Sequence, residues 1–166
     1  MILAVDSDAS YLYEPKARSR VGGYHYLSNL PKNILPKPDD PMPPMNGAIL
    51  VVSNILKHVM YSAAKSELSG LLFNGKEDTT IRATLLAIQH LQPPTVINTD
   101  NNTAAGIAND TVKQRRSKAV DMRFYWIRDR VRQGQFCIHW HKSDNNRAEY
   151  FTKHHPEVHH QRKRFQ

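Results

Sequence analysis

The hydrophobic period of this chain first changes between residues 55 and 62, and that change limits what it can fold into. Before it, apolar residues follow the two-residue alternation of strands. "ILAVDSDA" puts Ile2, Ala4, Asp6 and Asp8 on one face and Leu3, Val5 and Ser7 on the other. "VGGYHYLSNL" (21–30) and "GAILVVSNI" (47–55) read as a second and a third strand. Between them, residues 30–46 hold six of the ten prolines, which excludes a helix or a central strand and predicts a long exposed loop.

After the change, Ala64, Leu68 and Leu71 fall at helical spacing, with Ser62 as N-cap and Gly75 as the stop. A second helix is expected to carry Ile81, Leu85 and Ile88 on one face, with Asp78 as its cap. "PPTVINTD" reads as a short strand ending at Asp100, and "NNTAAGIAND" as a short helix. Ser117 to about Gln133 has the best helical pattern, with Val120, Phe124, Ile127 and Val131 on one face. "QFCIHW" gives a fifth strand, and "NNRAEYFTKHH" a last helix. The order β-β-β-α-α-β-α-α-β-α predicts an α/β fold, a five-stranded mixed sheet flanked by helices.

Composition narrows the class of function. No apolar run approaches eighteen residues, so no membrane span is expected. The start has neither the basic nor the long apolar region of a secretory signal, and Cys137 is the sole cysteine, which suits a reducing, intracellular setting. The net charge of +8 is unevenly placed: residues 113–166 hold fourteen Lys/Arg against five Asp/Glu. Such a basic half attracts polyanions. Residues 1–153 are expected to form one domain, with 154–166 as a basic, His-rich tail. "HHPEVHH" in that tail reads as a polar segment or a transition-metal ligand set. Trp126 and Trp140 read as core or base-stacking residues.

Four segments carry an acid where propensity alone would not put one. Asp8 ends the first strand and Asp100 the fourth; Glu67 and Glu149 lie on predicted helices. Singly, each has an ordinary reading: Asp100 as a cap, Glu67 and Glu149 as solvated helix residues, Asp6 as a turn acceptor. As a set they suit the strand ends where open α/β sheets gather ligands. Carboxylates so gathered need a cation, and Mg²⁺ is the natural one, with Mn²⁺ as a substitute. Two such ions about 4 Å apart support in-line phosphodiester hydrolysis.

"SDASY", "SAAKSELSGL", "TDNNTAAGIA", "RRSKAVDMRFYWIRDRV" and "RAEYFTKHH" occur in the order found in the ribonuclease H domain of copia-type LTR retrotransposon polyproteins, which this chain resembles over nearly its whole length. The resemblance implies a ribonuclease H-like fold, with three antiparallel strands and then two parallel ones. It also implies two-metal hydrolysis of the RNA strand of RNA–DNA hybrids. By this likeness Asp8, Glu67, Asp100 and Glu149 are the catalytic and metal-binding acids. Asp6 is an accessory acid or a competitor of Asp8, and His139 or His141 an accessory in proton transfer or product release.

Arg115, Arg116, Lys118 and Arg123 would lie against phosphates, and Asn101 and Asn102 near 2′-hydroxyls. The implied partners are the hybrid and a reverse transcriptase domain of the same polyprotein, in the cytoplasm, inside a virus-like particle, or in the nucleus. The chain departs from the family at three positions: Lys65 stands where an acid is usual, Ala119 where a histidine is, and Glu149 where an aspartate is. These departures keep two other readings open: a degenerate domain that binds nucleic acid without cutting it, and a strand-transfer domain of the integrase or transposase type.

Overall fold

A computed structural model of the protein describes residues 1–29, 36–112, 122–142 and 146–163. Five strands form one sheet: β1 (Ile2–Ala9), β2 (Arg20–Ser28), β3 (Ala48–Ile55), β4 (Thr95–Thr99) and β5 (Phe136–Trp140), in the order β3-β2-β1-β4-β5. β2 pairs antiparallel with both β1 and β3, whereas β4 runs parallel to β1 and to β5. This is the predicted sheet of three antiparallel and two parallel strands. β1 lies at its centre, buried along its whole length, and its C-terminal end lies at the same edge as that of β4.

Alternation on β1 sorts the two faces. Val5 joins Ile97 and Ile138 under the helices α1 (Ala63–Ala87), α2 (Asn102–Ala108) and α3 (Met122–Arg132), in the main core. Leu68 and Leu71 of α1 are wholly buried there, each burial stabilising by roughly 2 kcal/mol. On the other face, register places Tyr24, Asp6, Asn98 and His139 in one cross-strand row. The neighbouring row holds Tyr26, Ala4, Val96 and Cys137.

α1 is one helix of 25 residues, where two were expected. Ser62 caps it as foreseen, its side chain accepting from Lys65 N at 3.3 Å. Gly75 does not stop it. A methyl group there would lie 3.1 Å from Ile127 and 3.3 Å from Phe136, so the missing side chain lets α1 close onto α3 and β5. A glycine inside a helix costs about 1 kcal/mol relative to alanine. Asp78 is no cap either: it is buried in mid-helix, with Oδ1 2.9 Å from His25 Nδ1 on β2.

The proline-rich segment also departs from a plain exposed loop. In its described part, Met42 and Met45 pack on Ala4, Tyr26 and Val96. Tyr26 donates to the Pro43 carbonyl, Tyr24 to that of Asn46 and Cys137 to that of Pro36. Proline carbonyls stay free to accept, so a segment without sheet pairing still ties down a sheet face.

The expected last helix is a 3₁₀ helix (Arg147–Phe151), and the His-rich stretch read as a tail carries α4 (Glu157–Lys163). Pro156 separates the two, disfavouring helical geometry at His155. No described helix is long and apolar enough to cross a membrane.

Candidate metal centre

Three elements deliver one acid each to the sheet edge where β1 and β4 end. Asp8 projects from the end of β1, and Asp100 follows β4 directly. Glu67 comes from the second turn of α1, where its Oε1 accepts from Ala9 N at 3.1 Å and pins the helix to the strand end. Carboxylate oxygens of Asp8, Glu67 and Asp100 all lie within 4.8 Å of one another.

This grouping is electrostatically uncomfortable. Burial pushes the Glu67 carboxyl up to about 9, helped by the charges of Asp8 and Asp100. Asp8 is also raised, first by burial and then by Asp100 and Glu149, against the opposing hydrogen bond from Thr152 and the charge of Lys153. Asp100 is raised by burial and by Glu149. Glu67 Oε2 is buried with no hydrogen-bond partner among the described residues. Crowded hard oxygens and one orphaned acceptor suit a hard divalent cation, which would let all three acids ionise together.

Glu149 stands beside this trio rather than within it. It lies on the 3₁₀ helix, paired with Lys153 one turn on, and its charge is felt at Asp8 and Asp100. The segment that carries it is tied to β1 at three places. Asn146 Nδ2 donates to Ser7 O at 3.0 Å, Arg147 N to Asp6 Oδ2 at 3.1 Å, and the Thr152 hydroxyl to Asp8. Asn146 and Thr152 were not singled out from sequence. Their place in the "NNRAEYFTK" run beside Glu149 was the available signal, but which donor would reach which acceptor depends on the packed geometry.

Asp6 and Asp8 share a face, but their surroundings differ. Asp6 accepts from Asn98 Nδ2 at 3.3 Å as well as from Arg147 N, so both of its oxygens are engaged by fixed donors. Burial raises its pKa, and those two bonds oppose the rise.

The remaining candidates scatter. His139 is wholly buried beside Asn98, its pKa pushed down to about 4 by burial and next by His141. The His139 and His141 ring centroids are 6.0 Å apart. Asn101 caps α2 through Oδ1, which accepts from Ala104 N at 3.0 Å, and Asn102 is exposed at the start of that helix. Trp126 packs against the main core, whereas Trp140 is half exposed and its indole donates to Asp100 O at 2.9 Å. Arg115, Arg116 and Lys118 lie outside the described residues, as do Ala119 and Val120; Arg123 lies on α3.

No family model matches the chain. Solved structures do. The ribonuclease H1 LC11, isolated from compost by a metagenomic approach, is 8% identical with a TM-score of 0.65, over 91% of this chain and 92% of that one. A second structure of that enzyme, in complex with an RNA/DNA hybrid, gives 9% identity and a TM-score of 0.62, over 90% and 93%. The ribonuclease H domain of prototype foamy virus gives 14% and 0.60, over 90% and 91%. Sheet order, strand directions and flanking helices together give this chain the ribonuclease H fold.

Proposed function

We propose that the protein is a metal-dependent endoribonuclease that hydrolyses the RNA strand of RNA–DNA hybrids. The observation that carries this reading is the convergence of Asp8, Glu67 and Asp100 at the β1–β4 edge of a ribonuclease H fold. Asp8, Glu67 and Asp100 would hold the first divalent ion, and Glu149, whose charge is felt at Asp8 and Asp100, would help to hold a second. When bound, a pair of Mg²⁺ ions supplies an acidified water for attack and positive charge for the leaving oxygen.

The chain's own groups do the positioning. Glu67, tied to Ala9 N, keeps α1 at the strand end, and Thr152 and Asn146 hold the Glu149 segment against β1. The positive charge of residues 113–166 supports attraction of a phosphate backbone. Asn101 and Asn102 directly follow Asp100 and are the candidates for contact with a 2′-hydroxyl, Asn101 with the amide nitrogen that its cap does not use. The copia-like motifs support a setting within a retrotransposon polyprotein, working behind a reverse transcriptase during reverse transcription.

An end-labelled hybrid incubated with Mg²⁺ or Mn²⁺ tests the reading, and RNA-strand fragments are the expected product. Asp100→Asn should reduce cutting by on the order of 10² to 10³-fold while leaving hybrid affinity equal or higher, because a ligand and a negative charge go together. Hybrid retained uncut by the unmodified chain would show a binding module instead, and joining of DNA ends a strand-transfer enzyme. A normally active Asp100→Asn variant would move the metal site elsewhere.

A further inference from the structure

We propose that Lys153 is the resident cation of the second ion position, so that divalent ions load in order. The first enters among Asp8, Glu67 and Asp100. The second enters only by displacing the Lys153 ammonium from Glu149. The inference rests on the metal-dependent reading above and adds a control to it.

Three observations carry it. Lys153 and Glu149 form an ion pair one helical turn apart, and the Glu149 carboxylate lies outside the three-acid group. The Lys153 charge also acts on Asp8 and Asp100, the two acids that feel Glu149, so one ammonium and three carboxylates share a single electrostatic neighbourhood. The backbone between them is fixed. Thr152, wholly buried, donates to Asp8, so residues 149 and 153 cannot drift from the site together.

Exposure makes the ammonium displaceable. The Lys153 side chain is 47% exposed and that of Glu149 34%. A pair so open to water is weakly held, and a divalent ion can displace it. While it lasts, it occupies one Glu149 oxygen and repels an incoming cation. The first position has no such occupant: among the described residues, Glu67 Oε2 is without a partner.

Manganese titration of the full, substrate-free chain, with bound ion counted by electron paramagnetic resonance, tests the proposal. The unmodified chain should bind one ion, and a second at least about tenfold more weakly. Lys153→Gln should tighten the second ion about tenfold and leave the first within about twofold. Lys153→Arg should behave as the unmodified chain, and the double variant Glu149→Gln/Lys153→Gln should lose the gain. Identical binding constants in Lys153→Gln and the unmodified chain overturn the proposal, as does a gain that survives in the double variant. The same preparations, assayed on labelled hybrid, separate the two readings. Constants that shift as stated in chains that never cut leave this inference standing and remove the nuclease. Normal cutting with unshifted constants does the reverse.

Discussion

Glu67 and Asp78 lie on the same helix, about three turns apart, and both are buried, yet their surroundings are opposite. Asp78 faces His25 at 2.9 Å across the α1–β2 interface. Burial raises its pKa, and the hydrogen bond and charge of His25 pull against that rise. Glu67 receives the Ala9 N–H, with Thr99 also pulling its pKa down, and faces two more carboxylates. For Glu67 the neighbouring charges reinforce burial; for Asp78 the nearest partner offsets it. An interior acid that serves the fold is met by a donor, whereas an acid set against its own kind is stable only when protonated or joined by a cation.

The largest expected effect is a crossed pair of substitutions on this one helix. Asp78→Ala leaves the His25 ring nitrogen buried without its partner and should destabilise by roughly 3 kcal/mol, with cutting by the surviving folded fraction unchanged. Glu67→Gln replaces a group that must hold a proton when no metal is bound by one that is neutral at every pH, so metal-free stability should be equal or higher, while cutting falls by about 10²-fold or more. Urea denaturation beside a hybrid-cleavage assay reads both. Glu67→Gln destabilising as strongly as Asp78→Ala would erase the distinction between the two acids.

A smaller effect sharpens the same contrast through pH. The folded chain holds the Glu67 proton up to about pH 9, whereas an unfolded glutamate releases it near 4.5. Stability from this group is therefore full below about pH 4.5 and is lost as pH rises toward 9, with a slope of at most about 1.4 kcal/mol per pH unit. In EDTA the urea midpoint should fall across that window. Saturating Mg²⁺ should remove most of the fall, because the ionised form then has a partner, and Glu67→Gln should flatten it without metal. A slope equally steep in Glu67→Gln would mean that Glu67 is not the group that holds the proton.

The same contrast explains what was legible in the sequence. Strand alternation and the switch to helical spacing carried the five-stranded mixed sheet, because both periods are local properties of the chain. Three of the four motif acids, Asp8, Glu67 and Asp100, come together in space, having been marked by strand ends and by ordered motifs. Properties that depend on a distant partner were not legible. Gly75 reads locally as a stop, and only Ile127 and Phe136 turn it into a point of close approach. Asp78 reads as a cap until His25 arrives from 53 residues away. The prolines excluded regular structure over 30–46 but gave no hint that Met42 and Met45 would cover the sheet. α4 follows a proline in a stretch that read as a polar tail or a transition-metal ligand set, not as a helix.

The smallest effect concerns the two acids of the first strand, which share a face and differ by one pleat. Asp6 has both oxygens engaged, by Asn98 and by Arg147 N, and so ties the sheet to the 3₁₀ helix. Asp8 has a bond from Thr152 and otherwise faces Glu67, Asp100 and the charges of the Glu149–Lys153 pair. Asp6→Asn keeps one acceptor oxygen and turns the other position into a donor, which opposes one of the two fixed N–H groups. It should cost about 1 kcal/mol of stability and lower cutting only a few-fold, by loosening the segment that presents Glu149. The first Mn²⁺ should bind as tightly as before. Asp8→Asn should weaken that first ion strongly while leaving the 3₁₀ helix in place through Asp6 and Asn146. Paramagnetic titration of the two variants side by side decides the assignment. If Asp6→Asn loses the first ion and Asp8→Asn keeps it, the ligand and the tether have been exchanged. The carboxylate two residues nearer the chain start would then be the one that binds metal.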